Sequence, residues 1–263
     1  MSHRFAANLS MLFTEVPLLE RFERAARAGF SLVELQFPYE APAAEIAARM
    51  KAAGVTMVLH NVPAGNWAGG ERGIACHPDR VEEFRAGVAR AIDYARTLGV
   101  PRLNVLIGIA PAGVDAATLR RTVVDNLRFA AAATKEAGLT LLIEPINPFD
   151  IPGFWLNTTA QALALIEEVG ADNLKVQYDV YHAQRAEGEL AGTLTRHLAQ
   201  IGHIQIADNP GRHEPGTGEI NFPFLFRHLM AIGYTGSIGA EYKPAGVTEA
   251  GLGWIDAAVR DFH

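Results

Sequence analysis

The chain has 263 residues, 49% of them hydrophobic and 20% charged, and a formal net charge of −6. With no Lys/Arg cluster or basic stripe, that balance argues against nucleic acid as the main partner, and no apolar run approaches the roughly 20 residues that span a bilayer. The opening MSHRFAANLS has neither a basic region nor a continuous apolar segment, and the single Cys76 has no partner for an internal disulfide; a cytoplasmic protein is the expectation.

The first β-rich run is FAANLS (5–10). It is followed by LVELQ (32–36), TMVLH (56–60), RLNVLIG (102–108), TLLIEP (140–145), LKVQYD (174–179), HIQIAD (203–208) and SIGAEY (237–242). Each of these later runs stands after a glycine that reads as a helix stop: Gly29, Gly54, Gly99, Gly138, Gly170, Gly202 and Gly233. Glycine supplies the left-handed conformation that ends a helix without a Cβ clash. The segments between, such as VEEFRAGVARAIDYARTLG and LRRTVVDNLRFAAAATKEAG, space their apolar residues near 3.6 and read as amphipathic helices. Eight strands alternating with eight helices, undivided by any linker, predict an α/β fold: a single (β/α)₈ barrel over 1–263, a size such barrels favour. A doubly wound open sheet would call for a glycine-rich phosphate turn after an early strand, and none follows FAANLS.

Two connections, 61–80 and 209–222, are too long for plain turns, and long ordered loops in compact domains usually serve function. The first contains GNWAGGERG, whose four glycines surround Trp67, Glu71 and Arg72; it is expected to move as a lid that excludes water.

In a barrel the C-terminal strand ends converge on the face where the chemistry is done. Those ends carry Asn8, Glu34, Gln36, His60, Asn61, Asn104, Glu144, Asp179, Gln205, Asp208 and Glu241. Four consecutive strands supply Glu144, Asp179, Gln205 and Glu241. Three carboxylates around one point in a low-dielectric mouth cannot all stay ionised without a compensating cation. A divalent ion is the simplest one, and oxygen donors suit Mg²⁺ or Mn²⁺. Each residue also has a plainer reading. Asp179 before VYHAQ suits a helix N-cap, His182 suits packing, and His60 and Asn61 suit anchoring a loop. Arg212 and Lys243 lie beyond the strand ends as surface charges would, yet an anionic substrate would need them. Cys76 has no base beside it in sequence and is incidental.

The segments NVPAGNWAGGERGIA, IEPINPFDIPGFWLN, QYDVYHAQ, HIQIADNPGRHEPGTGEINF and GAEYKP resemble the hydroxypyruvate isomerase family of the xylose-isomerase-like barrels, over nearly the whole chain. The resemblance implies a (β/α)₈ fold, a divalent metal, and interconversion of hydroxypyruvate and tartronate semialdehyde. Carried over by motif, the catalytic glutamates fall on Glu144 and Glu241, and the metal ligands on Glu144, Asp179, Gln205 and Glu241. His182, Arg212, Lys243, Arg72, Glu71, His60 and Asn104 are the candidate substrate-binding residues, with the three cations expected at the substrate carboxylate. The expected partner is a small anionic 2-oxo acid, with no nucleic acid and no membrane; a homo-oligomer is left open. Relatives in that family act on longer 2-oxo acids such as 2-oxo-tetronate, and the similar sugar 3-epimerases have His where Gln205 stands. A ketose 3-epimerase is therefore the enzymatic alternative. A metal-dependent endonuclease would want more histidines and a basic surface, and a non-catalytic binding barrel would not want two glutamates on one metal.

Overall fold

The computed structural model describes residues 4–256. Eight parallel strands close into a barrel in chain order, with the last hydrogen-bonded to the first. They are β1 (Phe5–Asn8), β2 (Leu32–Leu35), β3 (Thr56–Asn61), β4 (Arg102–Val105), β5 (Thr140–Ile143), β6 (Leu174–Asp179), β7 (Ile201–Ile206) and β8 (Ile238–Ala240). Around them run α1 (Leu18–Arg27), α2 (Ala43–Ala53), α3 (Val81–Leu98), α4 (Ala116–Glu136), α5 (Thr159–Val169), α6 (Val180–Ala186), α7 (Leu190–His197) and α8 (Phe222–Ala231). The single (β/α)₈ barrel expected from the sequence is the fold. Among the described residues, no helix is long and apolar enough to cross a membrane.

The glycine stops account for most of the periodicity. Gly54, Gly99 and Gly170 cap α2, α3 and α5 in the left-handed conformation. Gly29, Gly138 and Gly233 also have positive φ. Gly202 is different: it lies inside β7, where a Cβ would stand 2.6 Å from Leu142 Cδ2. The preceding helix ends in a 3-10 turn, Leu198–Gln200, so Gly202 serves the close packing of strands and not a helix stop. The alternation also departs from one helix per strand. Both α6 and α7 follow β6, and of the helix expected after β8 the described residues include 253–256, which are helical; residues 257–263 lie outside them.

Most strands are shorter than their sequence signatures. β5 ends at Ile143 and β8 at Ala240, so Glu144 and Glu241 stand one residue past the ladder. Inside the barrel the two-residue period of a strand sorts side chains into layers. Ala6 and Leu142 belong to a small apolar cluster with Val58 and Leu59, and the residues two further along, Asn8 and Glu144, are polar. The larger apolar cluster packs the strands' outer faces against the helices through residues such as Val33, Met57, Leu141, Val176 and Ile204, all fully buried. Each such side chain contributes about 1.5–3 kcal/mol of burial. That shell fixes where the polar layer sits.

Candidate active site

At the C-terminal end of the barrel a cavity of about 610 Å³ opens over Glu144 and Glu241, with His182 and Arg212 also in its wall. Each acidic side chain there uses one oxygen to hold itself and turns the other into the mouth. Glu144 accepts at Oε2 from Asn104 Nδ2 (2.9 Å) and Gln177 Nε2 (2.8 Å), leaving Oε1 3.9 Å from His182 Nε2. Glu241 accepts at Oε1 from Asn8 Nδ2 (2.9 Å) and Gln36 Nε2 (3.0 Å), and at Oε2 from Arg212 Nη2 (2.5 Å). Asp179 ends β6 and caps α6, its Oδ1 accepting from the Tyr181 amide at 2.8 Å. Its Oδ2 faces Arg212 Nη2 (3.1 Å) and His182 Nε2 (3.6 Å). The capping role of Asp179 and its place at the mouth thus coexist, one oxygen to each.

Gln205 is paired with Asp179 in the β6–β7 register. Its Nε2 donates to Glu34 Oε1 (2.7 Å) and its Oε1 accepts from Gln177 Nε2 (2.6 Å), which fixes the amide orientation. The four side chains that the sequence groups around one point come from neighbouring strand ends and are all buried.

Electrostatics follow from that burial. Desolvation, then the charges of Glu241 and Asp179, push the Glu144 carboxyl well above its usual range. Desolvation raises Glu241 from 4.5 to about 7 against the opposing pull of Arg212, and Asp179 is raised for the same first reason. Burial works against the Arg212 guanidinium, but Glu241, Asp179 and Glu144 together hold it above its usual value. Desolvation also lowers His182 well below the normal imidazole range, aided by Arg212 and Arg185. His182 is therefore neutral, and its approaches to Glu144 and Asp179 are not ion pairs.

The tautomer of His182 is set by Asn147. The Asn147 Oδ1 accepts from the amides of Phe149 (3.0 Å) and Asp150 (2.9 Å), so its NH₂ is the group that meets His182 Nδ1 at 2.7 Å. With Nδ1 accepting, the proton of a neutral ring sits on Nε2. His182 thus presents an N–H to the mouth. Its Nε2 lies with oxygens of Glu144 and Asp179 in a group of donor atoms all within 4.8 Å of one another, close enough to hold a metal ion, but an Nε2 that carries a proton is a hydrogen-bond donor and not a ligand. Glu144, Asp179 and Glu241 offer oxygen donors that burial and mutual repulsion leave short of positive charge, a donor chemistry that fits a divalent ion; the Gln205 carbonyl is turned to Gln177.

The other sequence candidates separate into those on the cavity and those behind it. Arg72, Arg212 and Lys243 line it. Asn104 lies beneath Glu144. His60 is buried with Nδ1 toward the Tyr39 hydroxyl and the Asn61 carbonyl, and burial lowers its pKa to about 4. Glu71 is turned away: one oxygen pairs with Arg80 and the other takes the Asn66 amide, so it braces the 61–80 loop from within. Arg185, Asp150 and Tyr181, absent from the sequence candidates, also line the cavity. Arg185 pairs with Asp150 and donates to the Tyr181 hydroxyl at 2.8 Å. A signal for Arg185 existed, since it follows His182 by three residues on one helix and so shares its face.

Residues 22–258 match the family model described as xylose isomerase-like TIM barrel. The chain is 55% identical to hydroxypyruvate isomerase of Escherichia coli, covering 96% of this chain and 98% of that one. It is 51% identical to 2-oxo-tetronate isomerase of Cupriavidus necator, covering 96% and 97%. A crystal structure described as AP endonuclease, family 2, from Brucella melitensis superposes with a TM-score of 0.94 at 44% identity, over 97% of this chain and 98% of that one. This chain belongs to the xylose isomerase-like TIM barrel family and, within it, to the hydroxypyruvate isomerase family.

Proposed function

We propose that this chain is a metal-dependent isomerase that interconverts hydroxypyruvate and tartronate semialdehyde. The observation that carries the reading is the pair of buried glutamates, Glu144 and Glu241, each with one oxygen anchored from behind and the other turned into a cavity lined with cations. A divalent ion, Mg²⁺ or Mn²⁺, would be held by Glu144, Asp179, Gln205 and Glu241. When bound it supplies Lewis-acid polarisation of the substrate carbonyl.

The chain's own residues then have distinct tasks. Arg212, Arg72, Arg185 and Lys243 surround the cavity with the positive charge that an anionic 2-oxo acid needs. One glutamate takes the proton from C3 of hydroxypyruvate, giving an enediolate, and the C2 carbon is reprotonated from the opposite glutamate. The C3–H bond breaks and a C2–H bond forms, while the hydroxyl proton leaves O3 and O2 gains one. Within the substrate atoms and charge balance, and the two glutamates, which end the turnover with their protonation states exchanged, are reset by proton exchange with solvent. A carboxylate with a pKa near 7 is well matched to both taking and returning a proton. The Nε2–H of His182 is placed to donate to the oxygen on which negative charge develops.

A second reading has its own support. The cavity is much larger than a three-carbon acid requires, within the range that holds far bigger ligands, and one of the close relatives is a 2-oxo-tetronate isomerase. A four-carbon 2-oxo acid is therefore the alternative substrate. An endonuclease reading has less: the net charge is −6, and among the described residues His182 is the one histidine that lines the cavity. Comparing turnover of hydroxypyruvate, a four-carbon 2-oxo acid and D-fructose, before and after EDTA and after Mg²⁺ or Mn²⁺ is returned, tests all of this. Preference for the ketohexose, or full activity without metal, would overturn the proposal.

A further inference from the structure

Glu34 is fully buried inside the barrel and belongs to none of the roles above. Its strand, β2, is three places from β7 around the closed sheet, yet its carboxylate reaches both His203 and Gln205. The crossing depends on Gly239 in β8. A Cβ at that position would lie 2.4 Å from Glu34 Oε1 and 2.5 Å from Oε2, so the carboxylate fills the space that a side chain there would take.

Gln205 Nε2 (2.7 Å) and Asn8 Nδ2 (3.0 Å) donate to Glu34 Oε1, and His203 Nε2 stands 2.8 Å from Oε2. One oxygen thus takes both amides while the other meets the imidazole. The polarity then passes outward. Because Gln205 gives its NH₂ to Glu34, its carbonyl oxygen points the other way and meets the Gln177 amide, whose second hydrogen goes to Glu144 Oε2. On the other side, Asn8 uses the same NH₂ for Glu34 and for Glu241 Oε1. One buried carboxylate is thus linked to three of the four side chains assigned to the metal: directly to Gln205, through the Asn8 amide to Glu241, and through the Gln205 and Gln177 amides in series to Glu144.

We propose that Glu34 is a positioning residue: it fixes the Gln205 amide with oxygen, not nitrogen, on the side facing Gln177 and Glu144, and holds the rear oxygens of Glu144 and Glu241 in place. The assignment rests on the metal-dependent reading above. Partners behind a ligand commonly alter metal affinity by about 10–100-fold when changed.

Glu34→Gln keeps the shape and removes the charge. Its carbonyl can replace Oε1 only with its NH₂ turned to His203, whose Nε2 must then accept, and a neutral carbonyl holds the Gln205 and Asn8 amides more weakly than a carboxylate does. Mn²⁺ binding to the full chain, measured by calorimetry, is then expected to weaken at least about tenfold while circular dichroism shows an unchanged fold. The double exchange Glu34→Gln with Gln205→Glu keeps the net charge and restores a donor facing an acceptor. It is expected to recover wild-type Mn²⁺ affinity or exceed it.

Wild-type protein that binds no Mn²⁺ would refute the metal reading itself. With wild-type binding established, an unchanged dissociation constant in folded Glu34→Gln would overturn the positioning role. So would a double variant that binds no better than the single one. If Glu34→Gln does not fold, the double variant alone decides: folding with wild-type affinity supports the assignment, and failure to fold makes Glu34 a packing residue.

Discussion

Glu241 and Arg72 face the same cavity and are held in opposite ways. Glu241 is 5% exposed, and each of its carboxylate oxygens has at least one partner from a different element: Asn8 of β1, Gln36 after β2, and Arg212 after β7. Arg72 donates to the carbonyls of Trp67 and Glu71 and stacks on the Trp67 ring at 4.2 Å, all within its own loop. The floor of the mouth is built from strand ends whose positions the barrel dictates, and its rim from loops that carry their own support. The proposed chemistry thus falls where the barrel fixes geometry, and the proposed ligand contacts where each loop is supported from within itself. Between the two lies Arg212, a rim residue with left-handed φ that reaches down to Asp179 and Glu241.

The comparison breaks most decisively at the floor. Glu241→Gln keeps the volume and removes a proton acceptor, so kcat is expected to fall by about 10²–10⁴-fold, with a normal circular dichroism spectrum. Glu144→Gln should behave alike. Steady-state rates on folded protein that stay within a few-fold of wild type would take that glutamate out of the reaction.

The floor also governs how stability depends on pH. Desolvation raises Glu241 from 4.5 to about 7, and Glu144 and Asp179 shift the same way. A carboxyl whose folded pKa lies above its unfolded one binds its proton more tightly when folded, so it favours the fold at low pH. That contribution is complete below about 4.5 and is lost as pH rises through about 7. EDTA-treated protein should therefore lose several degrees of melting temperature between pH 5 and pH 8, since about 1 kcal/mol moves Tm by roughly 2–4 °C at this size. Mn²⁺ should remove most of that slope. A calorimetric melting series that is flat without metal would mean that the carboxylates are already compensated.

The difference between floor and rim also explains what the sequence disclosed. Strand ends were legible because apolar runs ending on a carboxylate or amide are rare, and successive strands placed Glu144, Asp179, Gln205 and Glu241 together. Gln177 was harder, because it sits within a strand where a polar residue reads as solvent-facing, and Glu34, though read among the strand ends, showed nothing of its partners across the barrel. Period two was the available signal, since Gln177 shares a face with Asp179. Asn147 was hidden by its turn: NPFD reads as a loop, and its role depends on the backbone amides of Phe149 and Asp150. Glu71 shows the reverse error of a motif, since its place beside Arg72 suggests a ligand group while its carboxylate braces the loop.

A smaller effect tests what joins the rim to the barrel. Asp208 is fully buried and accepts from four backbone amides of the 209–222 loop: Asn209 and Ile220 at Oδ1, Gly216 and Gly218 at Oδ2, all within 2.8–3.1 Å. Asp208→Asn leaves one oxygen for four donors and should loosen the loop that carries Arg212. KM for the 2-oxo acid is expected to rise about tenfold, equivalent to about 1.4 kcal/mol, with Mn²⁺ affinity near wild type. A fall in kcat with KM unchanged would contradict a role through Arg212.

The smallest effect belongs to the 61–80 loop, and it separates a lid from a fixed wall. Its far end is tied to the barrel by the Gly73–Ile107 bridge and by the Cys76 amide donating to the Ile107 carbonyl at 3.0 Å. Its near part, with Trp67 36% exposed, rests on Phe37 at 5.0 Å and on Arg72. A cation over an exposed ring contributes about 0.5–1 kcal/mol, so Arg72→Gln should raise KM by only about 2–5-fold if the arginine acts mainly by keeping the loop tip in place. Trp67 then becomes its own reporter. When a 2-oxo acid binds, the loop should close and the exposed face of the indole should lose water, shifting its emission to shorter wavelength; Arg72→Gln should shrink that shift. Trp155 and Trp254 also emit, so the comparison needs Trp67→Phe as a control, in which the ligand-dependent shift should vanish. If the shift persists in Trp67→Phe, or if wild-type emission does not respond to a saturating 2-oxo acid, then the loop is as fixed as the floor and the contrast between the two regions fails at its rim.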